Sequence, residues 1–187
     1  MALALERRFA TPIAQLIDRR VLAPLGMTST FLPERAADGR GGLSPVLLRR
    51  AVQGYSEHGD PIGAAGDQQG YFDFPGTSQM FSSARDLATF VTAHLGELTM
   101  EPVMREAMQL AQRGLFRISP RVAQALAWEV HDFGEPRIID KPGGLNNSST
   151  YIGMVPERKL GIVILANRGG QEPYEMARQI LLPALAR

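Results

Sequence analysis

The sequence predicts an α+β fold in which an antiparallel sheet is flanked by helices. Three observations carry this expectation. The first 23 residues, and those from Ser83 to Gln112, place apolar side chains at helical spacing. From Ala125 onward, short β-prone segments are punctuated by glycine, proline and asparagine. A final amphipathic stretch, about Glu172 to Leu185, then reads as a closing helix.

Taken in order, residues 2–23 predict helix, with Leu3, Leu5, Phe9, Ile13, Leu16, Ile17 and Val21 on a mostly apolar face. Thr11-Pro12 divides it in two, Thr11 capping a second helix that begins at Pro12. Pro24-Leu25-Gly26-Met27 ends it. Residues 30–66 are rich in glycine, proline and aspartate and predict loops with short strands, one over Val52–Ser56. The aromatic run Tyr71-Phe72-Asp73-Phe74 enters a turn and either lines a cleft or packs beneath a loop.

Ser83, three residues before Asp86, marks a helix start. That helix presents Leu87, Phe90, Val91 and Leu95 and ends near Gly96, and another spans about Pro102 to Gln112. Strands follow over 125–131, 137–140, 149–155 and 160–166, the last two joined by the polar hairpin connection Pro156-Glu157-Arg158-Lys159. Leu160–Ala166 is apolar on both sides, which predicts a central strand covered on both faces. In the closing helix Met176, Ile180 and Leu181 are available to cover the sheet.

Bulk composition narrows the function classes. The chain has 187 residues, 44% of them hydrophobic, and a formal charge of +1, so no broad charge favours nucleic acid or an anionic membrane. The arginine pairs Arg7-Arg8, Arg19-Arg20 and Arg49-Arg50 are too dispersed for a nucleic-acid footprint. With no cysteine, disulfide and thiol chemistry are excluded. No apolar run is long enough for a membrane span, and none at the start reads as an export signal, so the chain as written is expected to stay cytoplasmic.

His58, His94 and His131 match no metal-ligand spacing, and Asp18, Asp86 and Asp132 form no carboxylate constellation. The glycine pairs fit no phosphate loop. Neither metal nor cofactor is expected.

The sharpest local feature is Asp140-Lys141-Pro142-Gly143-Gly144-Leu145-Asn146-Asn147. Of the 20 basic residues only Lys141 and Lys159 are lysines. A strand delivers Lys141 into a glycine turn, where the backbone can approach a ligand and the ammonium and amides can hold a carboxylate. An ordinary turn with Lys141 in solvent explains the same residues. Asn167, after the last strand, either reaches an anionic group or caps a turn. Tyr71 and Tyr151 are hydroxyl donors or packed tyrosines.

Arg19-Arg-Val-Leu-Ala-Pro-Leu-Gly-Met-Thr-Ser-Thr-Phe31, Phe81-Ser-Ser-Ala-Arg-Asp-Leu-Ala-Thr-Phe90, Leu126-Ala-Trp-Glu129, Lys141-Pro-Gly-Gly-Leu-Asn-Asn147 and Tyr151 to Asn167 stand in an order and spacing that resemble the C-terminal portion of class C β-lactamases and their esterase and peptidase relatives. The resemblance implies an incomplete β-lactamase/transpeptidase-like fold, one truncated domain with mainly helices and loops over 1–124 and strands plus the closing helix over 125–187. It puts Lys141 and Gly143 in the Lys-Thr-Gly motif, with Pro142 replacing threonine, and Asn167 near the cleft as a substrate-binding residue. Asn146, Ser148, Ser149 and Tyr71 are further cleft candidates.

The family's Ser-x-x-Lys and Tyr-x-Asn motifs do not occur in these residues. The resemblance therefore implies no catalytic residue here, and a chain inactive by itself toward β-lactam, peptide or ester carbonyls. Its partners would be such a ligand, a second copy, or a complementing N-terminal polypeptide. A non-catalytic binding or oligomerisation module is the alternative. A hydrolase using Ser78, Ser82 or Ser83 is a weaker one, since helix capping accounts for Ser83.

Overall fold

The computed structural model describes residues 1–33, 43–66, 80–132 and 136–185. Tyr71, Ser78 and the aromatic run around Phe72 lie outside them. The chain divides into two compact units: residues 1–86 with 144–148 and 167–171, and residues 87–143 with 149–166 and 172–187.

The first unit opens with helices α1 (Ala2–Phe9) and α2 (Ile13–Ile17), the latter running into a π-helical turn, Asp18–Leu22. The break at Thr11-Pro12 is where the sequence predicts it, but the cap differs. Thr11 Oγ1 donates back to the Phe9 carbonyl, and the free N–H of Ile13 is taken by Glu6 Oε1 at 2.8 Å. Ala2, Ile13 and Leu16 form the small core, with Ile17 and Leu32 against it. Leu3 and Leu5 of the expected apolar face remain exposed. Gly26, at φ 69°, ends the segment.

Helix α3 (Pro45–Leu48) is one turn capped by Ser44. The strand predicted over Val52–Ser56 reduces to bridges from Tyr55 to Pro61 and Arg168. Ser83 Oγ accepts the Asp86 N–H at 3.2 Å and starts helix α4 (Ala84–His94) as predicted. Asp86 does not reciprocate as a capping box. Its carboxylate accepts from the Ser29 N–H and the Thr30 hydroxyl, at 2.7 and 2.8 Å.

In the second unit, helix α5 (Pro102–Ala111) precedes six strands: β1 (Phe116–Ser119), β2 (Val122–Gln124), β3 (Glu129–His131), β4 (Ile138–Leu145), β5 (Ser148–Val155) and β6 (Leu160–Ala166). They are hydrogen-bonded in sequence order, β1 to β6, with β1–β2, β2–β3, β3–β4 and β5–β6 antiparallel. The sheet starts at Phe116, earlier than the sequence pattern suggests, because β1 is exposed and lacks an alternating apolar face. The strand expected over 125–131 survives only as β3. Ala127 adopts φ 64°, and the Ala125 N–H donates to the Trp128 carbonyl across the turn.

β6 is not central: among the described residues it is the last strand in the order, with Leu165 exposed. The 3-10 turn Pro156–Arg158, closed by left-handed Lys159, joins it to β5. Ile139 and Met154 pack with Val91, Ala125, Trp128 and Val130 in one core cluster. Ile138, Tyr151 and Val155 pack with Ala177 and Leu181 of helix α6 (Pro173–Leu185) in another. Met176 and Ile180 face solvent instead of covering the sheet. The covering face is Tyr174, Ala177 and Leu181, and burying Leu181 contributes about 2 kcal/mol.

Candidate functional site

Strand alternation separates the neighbours Asp140 and Lys141. Successive side chains on β4 point to opposite faces, so Ile139, Lys141 and Gly143 share one side while Ile138 and Asp140 share the other. On the first side lies a cavity of about 440 Å³ whose wall includes Lys141, Pro142 and Gly143 from β4 and Thr150 and Ile152 from β5. Phe90, Leu126 and Trp128 complete its apolar part.

Trp128 is held by the turn before β3. Gln124 Nε2 donates to its carbonyl at 2.8 Å and to that of Ala125 at 3.0 Å. Gly143 lies so near β5 that a Cβ there would come within 2.6 Å of Thr150 Oγ1. Its lack of a side chain keeps this stretch of wall open. The Lys141 side chain is half exposed, and its Nζ lies 3.4 Å from Glu129 Oε1.

His94 also borders the cavity and is buried. Gln112 Nε2 stands 2.9 Å from the His94 carbonyl, which identifies that amide atom as the donor. The same nitrogen is 3.0 Å from His94 Nδ1, which therefore accepts and leaves the ring proton on Nε2. Burial pushes the His94 pKa down to about 4, so the ring is neutral around pH 7. Among the described residues, Lys141 is then the one charged group on the cavity wall.

On the opposite side of β4, Asp140 is fully buried. Tyr151 donates its hydroxyl to Asp140 Oδ2 at 2.7 Å, His131 Nε2 is 2.9 Å from Oδ1, and an Arg178 guanidinium nitrogen is 3.2 Å from Oδ2. Burial alone would raise the Asp140 pKa. Hydrogen bonds from His131 and Tyr151, with the charges of His131 and Arg178, outweigh it and hold the carboxyl below its usual value. The Tyr151 hydroxyl is pushed well above its ordinary range by burial and then by the Asp140 charge. Tyr151 is thus a packed tyrosine with a satisfied hydroxyl. Glu129, His131 and Asp140 offer three oxygen and nitrogen ligand atoms within 4.8 Å, but the Arg178 guanidinium supplies the positive charge at that place.

The remaining sequence candidates belong to the first unit or lie off the cavity wall. Asn146 is exposed, while Ser148 is half-buried and donates to Asn147 Oδ1 at 3.3 Å. Asn167 Nδ2 donates to the Gln53 carbonyl at 2.9 Å, a turn-fastening role. The Tyr55 N–H donates to the carbonyls of Asn167 and Asn147, and Gly169 donates back to Tyr55. Ser149, on β5, is buried. Ser82 and Ser83 are committed to the Thr30 hydroxyl and the α4 cap. His58 is exposed beside Glu57.

Sequence reasoning missed Trp128, Phe90 and Thr150 as wall residues and Gln112 as the partner of His94. The Lys141-Pro142-Gly143 segment stood out in the sequence, but it continues β4 as far as Leu145, and the turn expected there falls at Asn146-Asn147. The other contacts join residues far apart in the chain, and no spacing announces them.

The Beta-lactamase family profile matches residues 1–185. The chain is 26% identical over 188 aligned positions to a β-lactamase of Lysobacter lactamgenus, covering 84% of this chain and 45% of that protein. It is 25% identical over 185 positions to one of Psychrobacter immobilis, covering 82% and 43%. It therefore spans less than half the length of these curated relatives. Its fold is similar to a β-lactamase/D-alanine carboxypeptidase from Pseudomonas syringae, with TM-score 0.78, 22% identity, and coverage of 97% of this chain and 56% of the other. A class C β-lactamase gives TM-score 0.75 and 20% identity, with 94% and 52% covered. With the lysine–glycine strand, the antiparallel sheet and a profile match along almost its whole length, the chain belongs to the β-lactamase family.

Proposed function

We propose that this chain supplies the lysine-bearing wall of a serine acyl-transfer site acting on a β-lactam, peptide or ester carbonyl, and that by itself it binds without turnover. The observation that carries this reading is the placement of Lys141, Pro142 and Gly143 together on the wall of one cavity. Lys141 there offers three donors and a full charge to a substrate carboxylate. The glycine admits the substrate backbone close to the strand.

Acylation also needs a serine within hydrogen-bond reach of a base. In these 187 residues no serine is followed by lysine at the third position, and no tyrosine by asparagine at the second. Turnover on this reading needs those groups from outside these 187 residues. Asn167 contributes by holding the neighbouring segment through the bond from its Nδ2 to the Gln53 carbonyl.

The test is an acylating β-lactam or fluorophosphonate probe followed by mass spectrometry. The expected result is no labelled serine on the isolated chain, and labelling of an added N-terminal polypeptide carrying Ser-x-x-Lys when both are present. Stoichiometric labelling of a serine in this chain sinks the inactive-alone reading.

A second, non-catalytic reading is favoured by β6. Its outer edge ends the sheet order, its sequence is apolar, and Gly161 and Leu165 are exposed. Such an edge pairs readily with another strand, so we propose assembly with a second copy or a complementing chain through it.

A further inference from the structure

We propose that a second cavity, alongside helix α5, is a binding site for a compact phosphate group, taken as the free ion or as a small monoester. The cavity holds about 240 Å³ and has Arg105, Arg113 and Arg137 on its wall. It makes no use of Lys141 and stands apart from the hydrolase reading.

Helical spacing assembles most of this wall. Arg105, Met108, Gln109 and Gln112 stand at i, i+3, i+4 and i+7, on one face of α5, and Arg113 follows the end of that helix. Arg137 joins them from the segment just before β4.

Three guanidiniums on one wall repel each other unless an anion sits among them. Among the described residues no carboxylate lines this cavity, and His94, which also borders it, is neutral around pH 7. Among those residues the side chains of Arg105 and Arg113 hold neither an ion pair nor a hydrogen bond. Arg137 commits its Nε to Glu157, at 2.8 Å. Glu97, the acid next to Gly96 of the wall, is already held by Lys159 at 2.6 Å.

Helix electrostatics do not account for the cluster. Arg113 could offset the carbonyls at the end of α5, but Arg105 is near its start, where the helix dipole disfavours a cation. The chemistry fits a phosphate. Each guanidinium offers a planar fork of donors that matches phosphate oxygens, and Gln109 adds an amide. The volume lies just below the usual small-ligand range, roughly 300–1,000 Å³, so it suits a phosphate with a few carbon atoms and not a nucleotide.

The test is calorimetric titration of the chain with inorganic phosphate, glycerol phosphate and acetate at low salt. Phosphate is expected to bind at least about fivefold more tightly than acetate, because it carries more charge and more acceptor oxygens. Arg105→Gln and Arg113→Gln, both at exposed positions, should each weaken phosphate about threefold, and the double variant about tenfold. Arg117→Gln, an exposed arginine off this wall, should leave binding unchanged. Far-UV circular dichroism verifies that each variant is folded. In a nitrogen–proton correlation spectrum, phosphate should shift the amides of Gly96 and Gln109. Tighter binding of glycerol phosphate assigns the site to an ester and equal binding to the free ion, and both support it. Equal affinities for phosphate and acetate, undiminished binding by the double variant, or unmoved Gly96 and Gln109 amides at saturation overturn it.

Discussion

At the scale of single residues, His94 and Asp140 solve opposite problems of burial. His94 stays neutral, its ring wedged edge-on against Phe90 and Trp128, and Gln112 selects the tautomer. Asp140 stays charged, because hydrogen-bond donors surround it. Both tie stability to pH in the same direction. The His94 pKa falls from 6.5 to about 4 on folding, so the unfolded chain binds the extra proton between those values. The stabilisation is complete above pH 6.5 and is lost as the pH falls toward 4, about 3 kcal/mol in all. The lowered Asp140 pKa adds a further loss below its ordinary carboxylate value. Urea denaturation of wild type and His94→Asn between pH 7.5 and 4 checks the first effect. The variant should flatten the slope between pH 6.5 and 4, and an unchanged slope assigns it to other groups.

At the scale of elements, β4 carries two functions on two faces. Its buried face, fixed by Tyr151, His131 and Arg178 around Asp140, sets the strand's placement, and the opposite face presents Lys141 to the cavity. Tyr151→Phe removes one hydroxyl donor from a buried carboxylate without changing the packing volume. It should cost about 2 kcal/mol, the usual worth of a hydrogen bond to a charged group. It should also raise the Asp140 pKa. Chemical denaturation at pH 7 measures the first, and the carboxyl resonance in a carbon-detected titration measures the second. A loss under about 0.5 kcal/mol means that neighbouring groups compensate for the hydroxyl.

These elements differ in how much a sequence discloses about them. α4, α5 and β6 were legible because periodicity and punctuating residues are local. β6 matched its predicted bounds over Leu160–Ala166, yet its place in the sheet did not follow from them. An apolar run looks alike whether helices or another strand cover it. β1 and β2 were missed because the first is exposed and the second is three half-buried residues, so neither has a buried face to impose alternation.

At the scale of the whole molecule, the proposed pairing through β6, last in the strand order among the described residues, predicts association. Sedimentation velocity over a hundredfold concentration range should show a concentration-dependent shift to a larger species. Gly161→Pro or Leu165→Lys, placed on that strand, should suppress it. A folded species of constant monomer mass at every concentration removes the assembly reading, while leaving family membership untouched.

Sequence alone determined the α+β class, the β-lactamase family and the lysine–glycine segment that stands out around Lys141 and Gly143. Each of these rests on local periodicity, on glycine and proline chemistry, or on an ordered series of short motifs. Tertiary structure alone decided that Lys141 shares a cavity with Trp128 and Thr150, that Asp140 is buried against Tyr151 and Arg178, that Asn167 fastens a turn, and that β6 ends the sheet. The reason is physical: those outcomes depend on contacts between residues distant in the chain, whose geometry is set by packing and hydrogen-bond satisfaction rather than by neighbouring sequence.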